Sequence, residues 1–297
     1  MTVARARANG AVSVVNAIVT GFAGSSVAVD LHTEAKVTLL EDVPEVEVVI
    51  DGEEAGEEGM LARLVLKAVV ARLGEPDWGG RVETKSDIPS SRGLKSSSAA
   101  ANAVALAANH AFHLYEGRAL SRGDCLAAAI EAALDAGVTI TGAFDDASAS
   151  LDGGLVVTDN RQRLVLHREA VDDALRAVLL VPATKTPTAS VRDLPYAVYA
   201  PLALHAHALA RKGDWFRAMT LNGLYTAALY GSPATWSRDA LAAGALAAGL
   251  SGTGPAFAAI ARADEAPAVE KALRDVAPAG ARLLTVPLTN RRAEAFP

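Results

Sequence analysis

The sequence predicts a mixed fold of strands and helices in a chain that is long enough for two domains. Valine-rich segments at 11–20 and 27–40 alternate apolar with polar residues, which is the period of a β-strand. Residues 57–73 instead repeat their apolar side chains at helical spacing. The chain has 297 residues, of which 51% are hydrophobic and 21% charged, so it can bury a sizeable core.

The remaining elements follow as a mixture of short strands and amphipathic helices. Further strands are predicted at 46–51, 81–88, 155–157, 164–166, 177–181, 257–260 and 282–288. Further helices are predicted in the alanine-rich run after Ser98 and at 122–136, 195–211, 214–230, 235–248 and 266–276. Asp159-Asn160 marks the turn of a hairpin. The sequence shows neither an internal repeat nor a long linker.

Charge and cysteine content exclude several classes of protein. A net charge of -6 argues against a nucleic-acid binder that ignores sequence, because such a protein needs a basic face. The single cysteine, Cys125, excludes an internal disulfide and a cysteine-built metal site, and we place it in the core. We find neither a clear cleavage site after residues 11–19 nor an apolar stretch of about 20 residues. We therefore expect a reducing, cytoplasmic location, no export and no membrane span.

A serine-rich loop leads directly into the alanine-rich helix. The loop consists of Pro89, Ser90, Ser91, Arg92, Gly93, Leu94, Lys95, Ser96, Ser97, Ser98 and Ala99. A helix that begins here presents unpaired N–H groups and the positive end of its dipole beside three hydroxyls and a lysine. That arrangement suits a phosphate group. Read alone, the same residues also fit an ordinary serine cap on a core helix.

Two adjacent carboxylates, Asp145 and Asp146, lie among glycines and small residues in the segment 137–154. A phosphotransferase needs one carboxylate to orient or deprotonate the attacking hydroxyl and oxygen donors to hold Mg²⁺ against phosphate. The alternative is a solvated turn in which an aspartate caps a helix.

Two later loops are weaker candidates for ligand binding. The loop after Pro182 offers hydroxyls and the positive charges of Lys185 and Arg192, although such loops are often merely solvated. The turn that contains Gly252, Thr253 and Gly254 permits either a close approach of the backbone to a ligand or simply a tight turn.

Three motifs, taken together and in this order, resemble the GHMP kinase superfamily. They are Pro-x-x-x-Gly-Leu-Lys-Ser-Ser-Ser-Ala from Pro89, Gly-Ala-Phe-Asp-Asp-Ala from Gly142, and Ser-Gly-Thr-Gly-Pro-Ala from Ser251. Within the superfamily the chain is similar to the archaeal shikimate kinases, through Lys95, the run Gly-Val-Thr-Ile-Thr-Gly-Ala-Phe-Asp-Asp, and the opening Gly-Ala-Val-Ser-Val-Val-Asn-Ala-Ile from Gly10. The P-loop pattern of the bacterial shikimate kinases is missing from the sequence.

The resemblance implies an α+β fold of two domains, residues 1–150 and 151–297, with a ferredoxin-like second domain and the active site in the cleft between them. It also implies ATP and Mg²⁺ as cofactors, and shikimate as the small molecule phosphorylated on its 3-hydroxyl. A superfamily kinase for homoserine or mevalonate stays open as an alternative, as does a nucleotide-binding protein without catalysis. The oligomeric state does not follow.

The resemblance also assigns roles to residues. The loop 89–99 would wrap the ATP phosphates beside Gly252-Thr253-Gly254, and Asp145 would be the catalytic base. Ser97 would bind the metal, together with Asp135 or the less well placed Glu131. Asp146 occupies a position that is often asparagine in relatives, which leaves its role open. Candidates for contacting the acceptor are Asn16, Asp30, His32, Glu34, Asp146, Lys185 and Arg192.

Overall fold

Two β-sheets with helices packed on them make up the computed structural model, which describes residues 1–90, 92–184, 191 and 194–297. The strands are β1 (Thr2–Val15), β2 (Ala23–Leu40), β3 (Val46–Ile50), β4 (Glu53–Glu54), β5 (Gly79–Ser86), β6 (Leu155–Asp159), β7 (Leu164–Glu169), β8 (Leu175–Val181), β9 (Ala247–Leu250), β10 (Phe257–Arg262), β11 (Arg282–Pro287) and β12 (Glu294–Phe296). The helices are α1 (Ala17–Thr20), α2 (Met60–Leu73), α3 (Ser96–Glu116), α4 (Arg122–Asp135), α5 (Phe144–Asp152), α6 (Tyr196–Ala210), α7 (Trp215–Tyr230), α8 (Thr235–Ala242) and α9 (Ala266–Val276).

The first sheet has the order β12-β1-β2-β5-β3-β4, and β6 extends it by pairing with β2 and β7. Its long central strands alternate buried with more exposed residues, so that one face packs on α2, α3 and α4. Helix α3 is rich in alanine and is buried along most of its length. Small side chains allow it to lie close to β1 and β2. The sheet thereby fixes where the N-terminus of α3 lies.

The second sheet is antiparallel, in the order β11-β8-β10-β9. Numbered from β8, this order is 4-1-3-2, and the helices α6 to α8 and α9 form its two connections. That is the ferredoxin-like arrangement. One face of the sheet contributes Leu179 and Ile260 to a core shared with β1 and α7, and the other face packs Leu180 against α8 and α9. The predicted α+β fold with a ferredoxin-like second unit is confirmed.

Some element boundaries differ from the prediction. The strand predicted at 11–20 ends at Val15 and gives way to α1, which Asn16 caps through its side-chain oxygen. The helix predicted at 235–248 ends at Ala242, because Gly244 takes a left-handed conformation (φ 104°) and residues 247–250 pair with β10. Strands β6 and β7 belong to the first sheet, which therefore continues past residue 150. The domain boundary at that residue stays a prediction.

Two smaller expectations can also be compared with the structure. Cys125 is 1% exposed in α4 and packs in the core, as predicted, and burial raises the pKa of its thiol to about 11. None of the helices that the structure describes is long and apolar enough to cross a membrane.

Candidate active site

One cavity brings residues from all three motifs together. It lies where the N-termini of α3 and α5 approach the turn between β9 and β10. Its lining comprises Ser13, Asn16 to Ile18, Gly93, Lys95 to Ser98, Ala101, Ala129, Ile130, Ala133, Val138 to Ala143, Asp145 to Ala147, and Gly252 to Gly254. Both helices start abruptly, because the residue before each one, Lys95 (φ 63°) and Ala143 (φ 48°), is left-handed. The cavity therefore receives the positive ends of two helix dipoles.

The N-terminus of α3 can hold an anion. Its first backbone hydrogen bond runs from the N–H of Ala99 to the carbonyl of Lys95, at 3.1 Å. The N–H groups of Ser96, Ser97 and Ser98 precede that bond and so have no partner within the helix. These three serines and Lys95 line the cavity. Unpaired N–H groups, hydroxyls and an ammonium at one helix end are what a phosphate group requires.

The glycine-rich turn between β9 and β10 is hydrogen-bonded to the loop that precedes α3. The Ser251 hydroxyl donates to the carbonyl oxygen of Gly93 at 2.7 Å, and the Ala256 N–H donates to the carbonyl of Arg92 at 3.0 Å. A Cβ on Gly93 would lie 2.1 Å from the Ser251 carbonyl oxygen, and the φ of Gly93 is +87°. Only glycine fits there, for both reasons. Two hydrogen bonds and a close backbone contact therefore hold this part of the loop against the turn.

Asp145 lies in the first turn of α5 and is 3% exposed. Its Oδ1 accepts a hydrogen bond of 2.8 Å from the side-chain amide of Asn160. A Cβ on Gly24 would lie 2.5 Å from its carboxyl carbon, so β2 also confines the carboxylate. Burial and the neighbouring Asp146 raise the pKa of Asp145 to about 7, against the opposing effect of Lys95. A carboxyl group with such a pKa can both take and hold a proton near neutral pH.

Asp146 joins the carboxylate pair to the serine-rich loop 89–99 through Lys95. One of its oxygens lies 3.0 Å from Nζ of Lys95, and both side chains are 11% exposed. Its other oxygen accepts a hydrogen bond of 2.5 Å from the Ser26 hydroxyl. Both oxygens of Asp146 are therefore already bonded within the protein, and its charge offsets that of Lys95.

The predicted second metal ligand is not brought into the cavity. Asp135 is exposed at the end of α4 and does not line the cavity, whereas Ile130 and Ala133 of the same helix do. Glu131 forms ion pairs with Arg72 and, at 2.9 Å, with Arg163. Within the described ranges, no three histidine, cysteine or acidic residues are grouped as metal ligands. A magnesium ion here would depend mainly on phosphate oxygens and the Ser97 hydroxyl. In proteins, Mg²⁺ usually has few protein ligands and binds the phosphates of the nucleotide as well.

The predicted acceptor contacts are scattered. Asn16 lines the cavity, but its amide nitrogen already donates to the carbonyl of Gly252 at 2.8 Å and to the Tyr230 hydroxyl at 3.2 Å. Asp30 and His32 line a separate groove. Glu34 is exposed and lies 4.0 Å from His32. Lys185, Arg192 and, in the serine-rich loop, Ser91 lie outside the described residues.

The other described residues of the loop do not line the cavity. Leu94, Ala99 and Pro89 are buried, and Ser90 is exposed. Arg92 donates hydrogen bonds to the carbonyls of Pro182 and Ala183, at 2.9 and 3.0 Å. Of the predicted loop 89–99, the structure places Gly93 and Lys95 to Ser98 along the cavity.

Sequence reasoning missed several side chains around the two carboxylates. Gly24 and Ser26 are ordinary small residues within a strand, and nothing near them in the sequence indicates a site. Asn160 did carry a signal, since Asp159-Asn160 predicts a hairpin turn. Turn chemistry alone explains an asparagine there, so its contact with Asp145 could not be predicted.

Two family models and several curated proteins match this chain. The model for the GHMP kinases N terminal domain matches residues 60–154, and the model for the GHMP kinases C terminal region matches residues 203–279. The chain is 37% identical to the shikimate kinase of Methanosarcina mazei over 97% of this chain and 94% of that protein. It is 42% identical to the shikimate kinase of Methanothrix thermoacetophila over 86% of this chain and 84% of that one.

Among solved structures, the fold is similar to that of a homoserine kinase from Cytophaga hutchinsonii. The TM-score is 0.76 at 21% sequence identity, and the match covers 100% of this chain and 98% of that one. At this identity the likeness concerns the fold alone.

Proposed function

The chain belongs to the GHMP kinase family, and we propose that it is a shikimate kinase, which transfers the γ-phosphoryl group of ATP to the 3-hydroxyl of shikimate. The observation that carries this proposal is the identity of 37% to a relative named shikimate kinase over 97% of the chain. The cavity supports it, because Asp145 and the N-terminus of α3 line the same space. The kinases for homoserine or mevalonate and the inactive binder are less favoured, since the relatives that match over most of the chain are named shikimate kinases.

We assign phosphate binding to the start of α3. The N–H groups and hydroxyls of Ser96, Ser97 and Ser98 would surround the phosphates, and Lys95 would add a positive charge. Phosphoryl transfer needs positioning and charge neutralisation more than covalent chemistry. Fixed donors at a helix N-terminus serve this need because they do not have to reorganise during the reaction.

We assign proton transfer to Asp145. As the 3-hydroxyl oxygen forms its bond to the γ-phosphorus, its proton passes to the Asp145 carboxylate, and the bond between that phosphorus and the β,γ-bridging oxygen breaks to release ADP. A pKa raised to about 7 makes this carboxylate a stronger base than an ordinary aspartate. Asp146 takes a different role, because both of its oxygens are occupied by Lys95 and Ser26.

Magnesium would be held by the Ser97 hydroxyl and the nucleotide, and it supplies charge neutralisation at the phosphates. Asp135 as a further ligand stays a prediction. For the carboxylate of shikimate we propose Lys185 and Arg192, since a cation is the natural partner of a carboxylate. The cytoplasmic location also stays a prediction.

The direct test measures ADP release by the purified protein with Mg-ATP and, separately, shikimate, homoserine, mevalonate and galactose. We expect release that depends on shikimate alone. Release with another acceptor would overturn the substrate but keep the kinase. Silence with all four, together with a rise in melting temperature on adding Mg-ATP, would favour a binding protein. The variant Asp145→Asn should keep Mg-ATP binding and lose about 10²–10⁴-fold in kcat.

A further inference from the structure

The side chain of Asn160 forms two hydrogen bonds with Asp145. Its amide nitrogen donates to Oδ1 of the carboxylate at 2.8 Å, and its amide oxygen accepts from the backbone N–H of Asp145 at 3.2 Å. The orientation of this amide is fixed, because a backbone N–H can only donate and a carboxylate can only accept. Asn160 thus holds both the start of α5 and the reactive side chain on it.

Asn160 is in turn held by its own neighbours. The Thr158 hydroxyl donates to its amide oxygen at 2.7 Å, and its amide nitrogen lies 3.3 Å from the Thr141 hydroxyl. The carbonyl of Thr158 accepts a hydrogen bond of 3.1 Å from Nε2 of buried His207, which ties this strand end to α6. Asn160 is 5% exposed and does not line the cavity. It can therefore act on a substrate only through the residues it contacts, and its shortest contact with a residue that lines the cavity is the 2.8 Å bond to Asp145.

The charges around Asp145 show why this contact matters. Among the described residues, the charged groups that act on its carboxylate are Asp146, which opposes a second negative charge, and Lys95, which favours it. Lys95 lies 3.0 Å from Asp146, and the Ser26 hydroxyl donates to Asp146 at 2.5 Å, leaving a distance of 3.4 Å to Oδ2 of Asp145. Among the described residues, the short side-chain hydrogen bond to Asp145 comes from Asn160, and Oδ2 has no donor as close as that. Such an oxygen is suited to accept a proton.

We propose that Asn160 is a positioning residue for the transfer: it fixes the Asp145 carboxylate through Oδ1, stabilises its ionised form and leaves Oδ2 to receive the proton of the acceptor hydroxyl. This inference rests on the proposed function for the identity of the acceptor. Its geometry involves Asp145 and the residues that surround it.

The test compares the pH dependence of kcat in four proteins: the unsubstituted chain, Asn160→Ala, Asn160→Asp and Asn109→Ala. Asn109 is the matched control, because its side-chain amide also forms two hydrogen bonds: its oxygen accepts from the N–H of Leu120 at 2.7 Å, and its nitrogen donates to the carbonyl of Leu120 at 3.2 Å. We expect Asn160→Ala to lower kcat at least about 10-fold at pH 7 and to move the midpoint of the pH profile upward by about one unit, the equivalent of one lost charge-assisted hydrogen bond. The KM for Mg-ATP should change less than about 3-fold.

Asn160→Asp separates positioning from mere structure. The substitution keeps the shape and the acceptor oxygen but replaces the donor with a third carboxylate beside Asp145 and Asp146, so we expect a larger upward shift than in Asn160→Ala. A purely structural role predicts the reverse order, because Asp is the closer mimic of Asn. Equal pH profiles in all four proteins, or a shift in Asn109→Ala of the same size, would overturn the proposal.

A readout that needs no turnover keeps the two proposals distinguishable. The ¹³C shift of the Asp145 carboxyl, assigned by its loss in Asp145→Asn, reports its pKa directly. A higher pKa in Asn160→Ala than in the unsubstituted chain supports the role of Asn160 even if shikimate releases no ADP, in which case the proposed function fails alone. An unchanged pKa overturns the effect of Asn160 on ionisation, whatever the substrate.

Discussion

The ionisable carboxyl group of Asp145 is almost fully buried. The stability of the fold should therefore depend on pH. Its pKa rises from 3.8, the usual value, to about 7 in the folded chain, through burial and through Asp146. The native state therefore binds this proton more tightly than the unfolded state does. The stability that results is fully present below about pH 4 and is lost as pH rises through about 7.

We predict that Asp145→Asn stabilises the protein at pH 8 while it lowers kcat about 10²–10⁴-fold. Asparagine has nearly the same shape and carries no charge to bury, so the gain in free energy of unfolding should be on the order of 1–3 kcal/mol at pH 8. At pH 5 the gain should be clearly smaller, and it should vanish only below about pH 4, where Asp145 is protonated in the unfolded chain as well. Thermal unfolding of both proteins at the two pH values measures this, and an equal shift at both would contradict it.

Gly24 sets the space available to the same carboxylate. In Gly24→Ala the new Cβ would meet the carboxyl group of Asp145 at 2.5 Å, and this side chain, rather than the strand, would have to move. We predict a fall in kcat of about 10–100-fold, because misplacing a reactive group by about 1 Å has effects of that size. The loss of stability should stay below about 2 kcal/mol.

The control for Gly24 is Gly123→Ala, at an exposed position in α4 where the nearest atom to a new Cβ lies 3.6 Å away. It should leave kcat unchanged and raise the melting temperature slightly, since alanine favours helix. If Gly24→Ala keeps full kcat, then Asp145 is not confined as its surroundings indicate.

At the scale of elements, the serine-rich loop 89–99 depends on its contact with the turn between β9 and β10. In Gly93→Ala a Cβ would lie 2.1 Å from a backbone oxygen of Ser251, which cannot rotate away. We predict a loss of about 2–4 kcal/mol in the free energy of unfolding. We also predict a rise of at least about 10-fold in the KM for Mg-ATP, because the loop would shift.

Gly117→Ala isolates the backbone part of that effect. Gly117 ends α3 with a φ of +72°, and a Cβ there would meet no atom of the described residues within 4 Å. Its substitution should therefore cost about 1 kcal/mol and leave the KM unchanged. A Gly93→Ala protein that behaves like Gly117→Ala would mean that contact between loop and turn contributes little.

The same elements explain how far the sequence could be used for prediction. The serine-rich loop 89–99 and the helix after it were predictable because the serines, Gly93 and that helix are consecutive in the sequence, whereas phosphate binding by the loop stays a prediction. Helix α5 was not predicted, because its nine residues, Phe144–Asp152, mix small and polar side chains and lack a long apolar period. The contacts of Asp145 with Gly24 and Asn160 join separate strands, and no local pattern records such pairings. Strand β12 was missed for the same reason, since its three residues become a strand only by pairing with β1.

At the scale of the molecule, Asn222 of α7 connects the helices of the second sheet to the first. Its side-chain oxygen accepts a hydrogen bond of 2.9 Å from the backbone N–H of Asn16 and one of 2.6 Å from the Tyr225 hydroxyl. Asn16 in turn donates to the carbonyl of Gly252. We predict that Asn222→Ala lowers the free energy of unfolding by about 1–3 kcal/mol, because a buried N–H loses its partner.

A second effect of Asn222→Ala should appear in the site, as a several-fold rise in the KM for Mg-ATP, because Asn16 positions the turn at Gly252. Tyr225→Phe is the control, since it removes the other donor and leaves the bond between Asn16 and Asn222 in place. Thermal unfolding and kinetics on both variants measure the difference. Equal losses in the two would assign the effect to Tyr225 instead.

The order of the strands along the chain also bears on how the protein folds. The four strands of the second sheet, β8 to β11, lie in the sequence between β7 and β12, and both of these belong to the first sheet. The ion pair of Arg7 with Glu294 joins β1 to β12 across 287 positions of sequence. Closing so long a loop is slow, whereas the second sheet pairs over much shorter separations. We therefore expect β12 to pair last during folding, and its amide protons to exchange with solvent before those at the centre of the sheet.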